Sequence, residues 1–168
     1  MRNVKKYGKI NKSYKENGSS RERILQAMEL TNIHVVKSLM ESHGIRFQKK
    51  FGQNFLINKK IVSDIAENCG AKPEDGILEI GPVIGVLTAQ LCQRYRHVVG
   101  IEIDKNLIPV LHETLSAYDN VNIICQDVMK TDLKALLQTE FSGMRVSVCA
   151  NLPYYITTPI LMQLFESE

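Results

Sequence analysis

Beyond residue 58, hydrophobic and polar positions switch repeatedly between two periods. Short β-rich runs occur at 77–80, 98–103, 121–124 and 146–150, each bounded by polar or turn residues. Between and around them, the stretches 59–69, 85–94, 105–117, 131–140 and 158–166 place apolar residues at helical spacing. Strands alternating with helices of this length imply right-handed βαβ crossovers and a parallel sheet covered on both faces. The fold class is therefore α/β, with about four strands. Upstream, Ile24, Leu25, Ala27 and Met28 recur at helical spacing, and a second helix is predicted with Thr31 as N-cap, Val35, Leu39 and Met40 on one face, and Gly44 as the left-handed stop. The segment 47–58, Phe-Gln-Lys-Lys-Phe-Gly-Gln-Asn-Phe-Leu-Ile-Asn, follows neither period and reads as an ordered loop with something to hold.

Composition adds constraints. A chain of 168 residues, 44% hydrophobic and 23% charged, suits one domain, or one domain with a tail, and argues against wholesale disorder or a membrane-embedded class. No apolar run approaches the ~20 residues of a membrane span, and the Lys-rich start lacks the apolar segment of a signal peptide, so a cytoplasmic location is expected. Cys69, Cys92, Cys125 and Cys149 stand far apart without a Cys-x-x-Cys, which favours small reduced core residues over a metal site or disulfides. The net charge of +3 conceals an asymmetry, because residues 1–60 carry +10 and the remainder −7. A basic arm on an acidic body suits a polyanion, with nucleic acid foremost, although 1–18 alone reads as a solvated tail.

In parallel α/β sheets, ligands bind where the carboxyl ends of the strands emerge. The first strand ends in Ile77-Leu-Glu-Ile-Gly-Pro-Val-Ile-Gly85, a turn in which glycine lets the backbone approach a nucleotide. The Gly-x-Gly-x-x-Gly spacing of a pyrophosphate loop is not met, since it falls on Gly81, Val83 and Val86. Glu79 instead points to a ligand with a positive end. Glu102 closes the second strand 21 positions after Gly81, close to the separation at which an acid meets a ribose diol. Gln126 and Asp127 follow the third strand, placed to receive an adenine amino group, whereas Asp104 reads as a solvated loop residue. Acids after three successive strands and no phosphate loop suit S-adenosyl-L-methionine, an adenosine with a sulfonium and an ammonium.

The fourth strand runs into Ala150-Asn-Leu-Pro-Tyr-Tyr155. Attack by an adenine N6 on a methyl group requires the amine to pyramidalise. The Asn151 side-chain oxygen and the Leu152 carbonyl can accept its two hydrogens, Pro153 can hold that carbonyl rigidly, and Tyr154 can stack on the base.

Phe51-Gly-Gln-Asn-Phe-Leu, Glu79-Ile-Gly-Pro, Ile101-Glu-Ile-Asp, Gln126-Asp-Val and Asn151-Leu-Pro-Tyr-Tyr-Ile-Thr-Thr-Pro together resemble the ribosomal RNA adenine N6-dimethyltransferases, from about Thr31 to the last residue. The Leu-Pro-Tyr-Tyr form favours the branch acting on small-subunit (16S) rRNA over the erythromycin-resistance type, which modifies the large subunit. A DNA adenine methyltransferase shares the clamp but is opposed by Gly-Gln-Asn-Phe-Leu. The resemblance implies a Rossmann-like S-adenosylmethionine-dependent fold, with Asn54, Leu56, Gly81, Glu102, Asp127 and Asn151 lining the cofactor site. Asn151, Leu152, Pro153 and Tyr154 would form the target-adenine clamp, while Lys49 and Lys50 would meet RNA phosphates. The implied reaction is in-line methyl transfer driven by positioning, on rRNA in the immature small ribosomal subunit, without a metal or a membrane.

Three departures stand out. The family has Gly where this chain has Val83, and a β-branched residue resists positive φ and adds bulk beside the ligand, so weakened cofactor binding is expected. Family members continue with further strands and a helical RNA-holding domain. The reading is therefore 31–168 as the amino-terminal part of the methyltransferase domain, with the helical domain absent and the sheet incomplete. Ile160, Leu161, Leu164 and Phe165 would then lack their usual neighbours, inviting self-association. Residues 1–30 read as a basic, partly disordered extension. The competing reading is a non-catalytic remnant that binds RNA.

Overall fold

The computed structural model describes residues 30–45 and 58–166. The expected helix around Ile24 and nearly all of the 47–58 loop lie outside them. In chain order the elements are α1 Ile33–Ser42, α2 Lys59–Glu67, β1 Gly76–Ile80, α3 Val86–Cys92, β2 His97–Glu102, α4 Ile108–Thr114, β3 Val121–Cys125, a 3-10 turn Val128–Lys130, α5 Leu133–Glu140, β4 Val146–Ala150 and α6 Tyr154–Glu166. The four strands form one parallel sheet in the order β3-β2-β1-β4. The α/β expectation holds, and all four strands fall where the pattern put them to within a residue at either end.

The period of two explains the two cores. Ile77 and Val98 face one side, where Val36 and Met40 of α1, Val62 and Ala66 of α2, Leu87 and Leu91 of α3, and Val110 and Leu111 of α4 cover them. Leu78, Ile80, Val99 and Ile101 face the other, against Leu133 of α5, Phe141 just after it, and Ile160 of α6. Every residue of β1 is buried, as expected for a central strand covered on both faces. β4 lies at the edge, with Val148 40% exposed.

Several boundaries differ from expectation, each for a local reason. Asn32 rather than Thr31 caps α1, its side chain accepting from His34 N at 2.9 Å. The buried i, i+4 pair is Val36 and Met40, with Leu39 packed beside it, so Val35 is displaced from the predicted face. Gly44 adopts φ 69°, as its role as a stop requires. β2 ends at Glu102, because its Oε1 accepts from Asp104 N at 2.9 Å and turns the chain out of the sheet, leaving Ile103 68% exposed. α5 starts only after Asp132, whose Oδ1 accepts from Ala135 N. α6 begins four residues early, since the Pro153 carbonyl accepts from Ile156 N and from the Thr157 hydroxyl, both at 3.2 Å. Its apolar face is also only half unpartnered: Ile160 is buried and Leu164 packs on the core, while Leu161 and Phe165 are exposed.

Phe141 shows how closely sheet and helix layer meet. It is buried, packs edge-on to His97 with ring centroids 5.4 Å apart, and occupies the space a Cβ on Gly76 would need. Phe141→Ala is expected to lower stability by roughly 3–5 kcal/mol, measured by urea unfolding; a loss below ~1 kcal/mol would show that the sheet closes over the void.

Candidate functional site

The sheet register assembles the site. β1 pairs Ile80 with Ile101 of β2 and with Ala150 of β4, while Ile101 pairs with Ile124 of β3. The residues immediately beyond, Asn151, Gly81, Glu102 and Cys125, therefore form one row along the carboxyl edge. Gly81 N donates to Ile101 O at 3.0 Å and Gln126 N to Glu102 O at 2.9 Å, extending the pairing past the strand ends. The chain moves outward from β1 to β2 to β3 and returns to β4 on the other side of β1, so β1 and β4 flank the point where the winding reverses, the crevice in which such sheets bind ligands. Gly81 and Asn151 sit at its two lips.

The turn after β1 is built for close approach. Gly81 has φ 75° and Gly85, the N-cap of α3, φ 85°. A Cβ on Gly81 would meet only Leu152 Cδ2, at 3.9 Å, so open space and the clamp segment share its surroundings. Between the glycines, Val83 has φ 57°, the one non-glycine positive φ among the described residues. The backbone strain expected there is present. The added bulk is placed differently, for the Val83 side chain packs on the α3-side core.

Glu102 is buried and fully engaged with backbone. Its Oε2 accepts from Val83 N at 3.0 Å and its Oε1 from Asp104 N at 2.9 Å. Burial pushes its carboxyl up, while the two N–H groups oppose the shift. Asp127 caps the 3-10 turn, Oδ1 accepting from Met129 N at 3.0 Å, with Lys130 Nζ 3.6 Å from Oδ2. Asp104 is a loop-capping residue, its Oδ1 accepting from Asn106 N and Nδ2. Asn151, Leu152 and Pro153 are half-buried, and Leu152 packs on the α5/α6-side core. Tyr154 opens α6. Asn54, Leu56, Lys49 and Lys50 lie outside the described residues.

Glu79 is the most unusual group. It is 2% exposed, between the end of β1 and the first turn of α3, and Glu79 Oε2 and Thr88 Oγ1 both lack a hydrogen-bond partner among the described residues. Burial pushes its carboxyl up to about 8; the nearby Thr88 hydroxyl opposes this and Glu102 adds to it. Burial, and then Glu79, also push the Cys149 thiol up to about 12. Thr88 escaped the sequence reading, since a lone threonine in an apolar helix carries no motif. All four cysteines are free, and no group of three or more metal-ligating side chains occurs among the described residues. None of the described helices is long and apolar enough to cross a membrane.

This geometry defines a doubly wound α/β domain whose carboxyl edge carries glycines and acids beside the β1/β4 switch point. Residues 44–168 match the family described as ribosomal RNA adenine dimethylase, and the chain belongs to that family. The ribosomal RNA small subunit methyltransferase A of Alkaliphilus metalliredigens is 48% identical over 132 residues, covering 79% of this chain and 46% of that protein. The chain thus spans under half the length of this curated relative. Among solved structures, the 23S rRNA methyltransferase ErmE is 30% identical with a TM-score of 0.56, covering 66% of this chain and 42% of that one. A dimethyladenosine transferase from Plasmodium falciparum is 29% identical with a TM-score of 0.53, covering 65% and 37%.

The Glu79 carboxyl has a thermodynamic signature. Its folded value of about 8 lies above its ordinary 4.5, so the folded state holds the proton more tightly than the unfolded one. The stability this contributes is complete below about pH 4.5 and is lost as pH rises through about 8, at ~1.4 kcal/mol per pH unit within that window. Glu79→Gln, which cannot ionise, is expected to flatten this slope in urea unfolding followed across the window. Parallel profiles for the two proteins would rule the buried proton out.

Proposed function

We propose that this chain binds S-adenosylmethionine in the β1/β4 crevice and presents an adenine of small-subunit rRNA to it for N6-dimethylation, in the cytosol. The observation that carries this reading is the register that sets Gly81, Glu102 and Asn151 in one row, with Leu152 beside Gly81. The residues fit such a ligand. Gly81 presents no side chain and is uncrowded where a Cβ would stand, which suits close approach of a ligand to the backbone, and Glu79 and Glu102 are buried acids whose charge a cationic ligand would balance.

When bound, the cofactor supplies an electrophilic methyl group. The work of the chain is positioning. Gly81 and Glu102 hold the donor side, with Asp127 flanking it. Asn151 and the Leu152 carbonyl accept the two N6 hydrogens and favour a pyramidal amine, and Tyr154 is the stacking group. The Pro153 carbonyl is tied into the first turn of α6, which fixes the clamp backbone. Lys49 and Lys50 take the RNA-phosphate role. The basic first third of the chain suits rRNA within the immature small subunit, and the name of the curated relative favours the small-subunit target. One observation favours a second reading, an RNA-binding chain without catalysis: the strained Val83 sits inside the cofactor turn.

Incubation with labelled S-adenosylmethionine and immature small subunits is expected to yield dimethyladenosine; retained RNA binding with no transfer would instead support the second reading. A left-handed β-branched residue costs ~1–2 kcal/mol, which Val83→Gly removes, leaving the turn free to close on its ligand. The substitution is expected to tighten S-adenosylmethionine binding up to about tenfold by calorimetry, and equal affinities of the two forms would defeat the strain argument.

A further inference from the structure

We infer that Glu79 carries a proton when the crevice holds no ligand and releases it to solvent when a cationic ligand settles above the turn at Gly81, so that cofactor binding is coupled to loss of one proton. This rests on the S-adenosylmethionine reading above and adds a charge-setting role for a residue beneath the site.

The argument starts from position. Glu79 precedes Gly81 by two residues, pairs in register with Gly100 of β2 and Cys149 of β4, and has its carboxyl close to Thr88 of α3. Among the described residues, the groups that act on its carboxyl from the elements around it are Thr88 of α3, Glu102 of β2, Cys92 of α3 and Cys149 of β4. None of these is a cation. Thr88 is a neutral hydroxyl, Glu102 is a second acid, and the two thiols are held neutral by burial. An ionised carboxylate in that setting would leave a buried charge uncompensated, with Oε2 lacking a hydrogen-bond partner among the described residues. A proton resolves the conflict. A cation seated at Gly81 changes the balance, because it favours the carboxylate that the protein's own groups disfavour. The proton then passes to buffer, and the ligand charge and Glu79 compensate each other.

A readout without catalysis follows from the proton count. Binding heats of S-adenosylmethionine near neutral pH, measured in phosphate and in imidazole, are expected to differ by the ionisation enthalpies for nearly one proton released per ligand bound. Adenosine, which lacks the cationic tail, is expected to show no such difference, and Glu79→Gln is expected to bind S-adenosylmethionine with equal heats in the two buffers. If the glutamine variant does not fold, as judged by circular dichroism, the wild-type affinity serves instead and should rise about tenfold between roughly pH 6 and pH 7. Wild-type binding with buffer-independent heats or pH-independent affinity, or a folded glutamine variant that still releases the proton, would overturn the inference while leaving the cofactor reading intact. Absence of any S-adenosylmethionine binding overturns both.

Discussion

The parallel pairing of β1 with its two neighbours is the constraint on which the rest of the molecule depends. A strand covered on both faces must be apolar nearly throughout, and its register cannot slip by one residue without exchanging the side chains of its two cores. Ile77 would move to the face of Leu78, and Glu79 would be driven toward Phe141 and Ile160. Packing on both faces thus fixes the register. The register in turn sets Asn151, Gly81 and Glu102 level at the carboxyl edge, so the site inherits its geometry from the core.

A second layer of order lies in the backbone beyond the strand ends. Glu102 spends both carboxylate oxygens on N–H groups, one from the turn after β1 and one from the turn after its own strand. A buried acid that accepts two backbone hydrogen bonds is held in place whether or not a ligand is present. Val83 is implicated directly, since the N–H of this strained residue is one of the two donors. Its side chain packs on the core, so apolar burial offsets part of the cost of the left-handed backbone. The turn therefore trades conformational freedom for packing.

Much of this was legible in the residues. Strand positions followed from apolar runs ended by polar residues, and Gly81, Glu102 and Asn151 stood out because chemistry-bearing types occurred at successive strand ends. Helix boundaries were less legible, since they depend on single hydrogen bonds. Asn32 outcompeted Thr31 as a cap, and the Pro153 carbonyl started α6 four residues before the apolar pattern did. The direction of the Val83 side chain was not legible either. Sequence spacing shows that a non-glycine residue occupies the turn, but which way its side chain turns is decided by the space the neighbouring helices leave.

Glu79 shows the same division most clearly. Its residue type and its place before the glycine turn suggested a cationic ligand, yet nothing in the spacing indicated that the described groups around it would be a hydroxyl, two thiols and another acid. That environment arises only when α3 packs over β1 and β4 pairs with its other edge. A chain that merely needed to fill this core could have done so with a leucine, burying more apolar surface and leaving no orphaned oxygen. Keeping an acid there costs stability at neutral pH, and the cost has a counterpart only if something positively charged arrives. The destabilising feature and the proposed ligand are thus two sides of one electrostatic balance, with the proton occupying the place that the ligand's charge later takes.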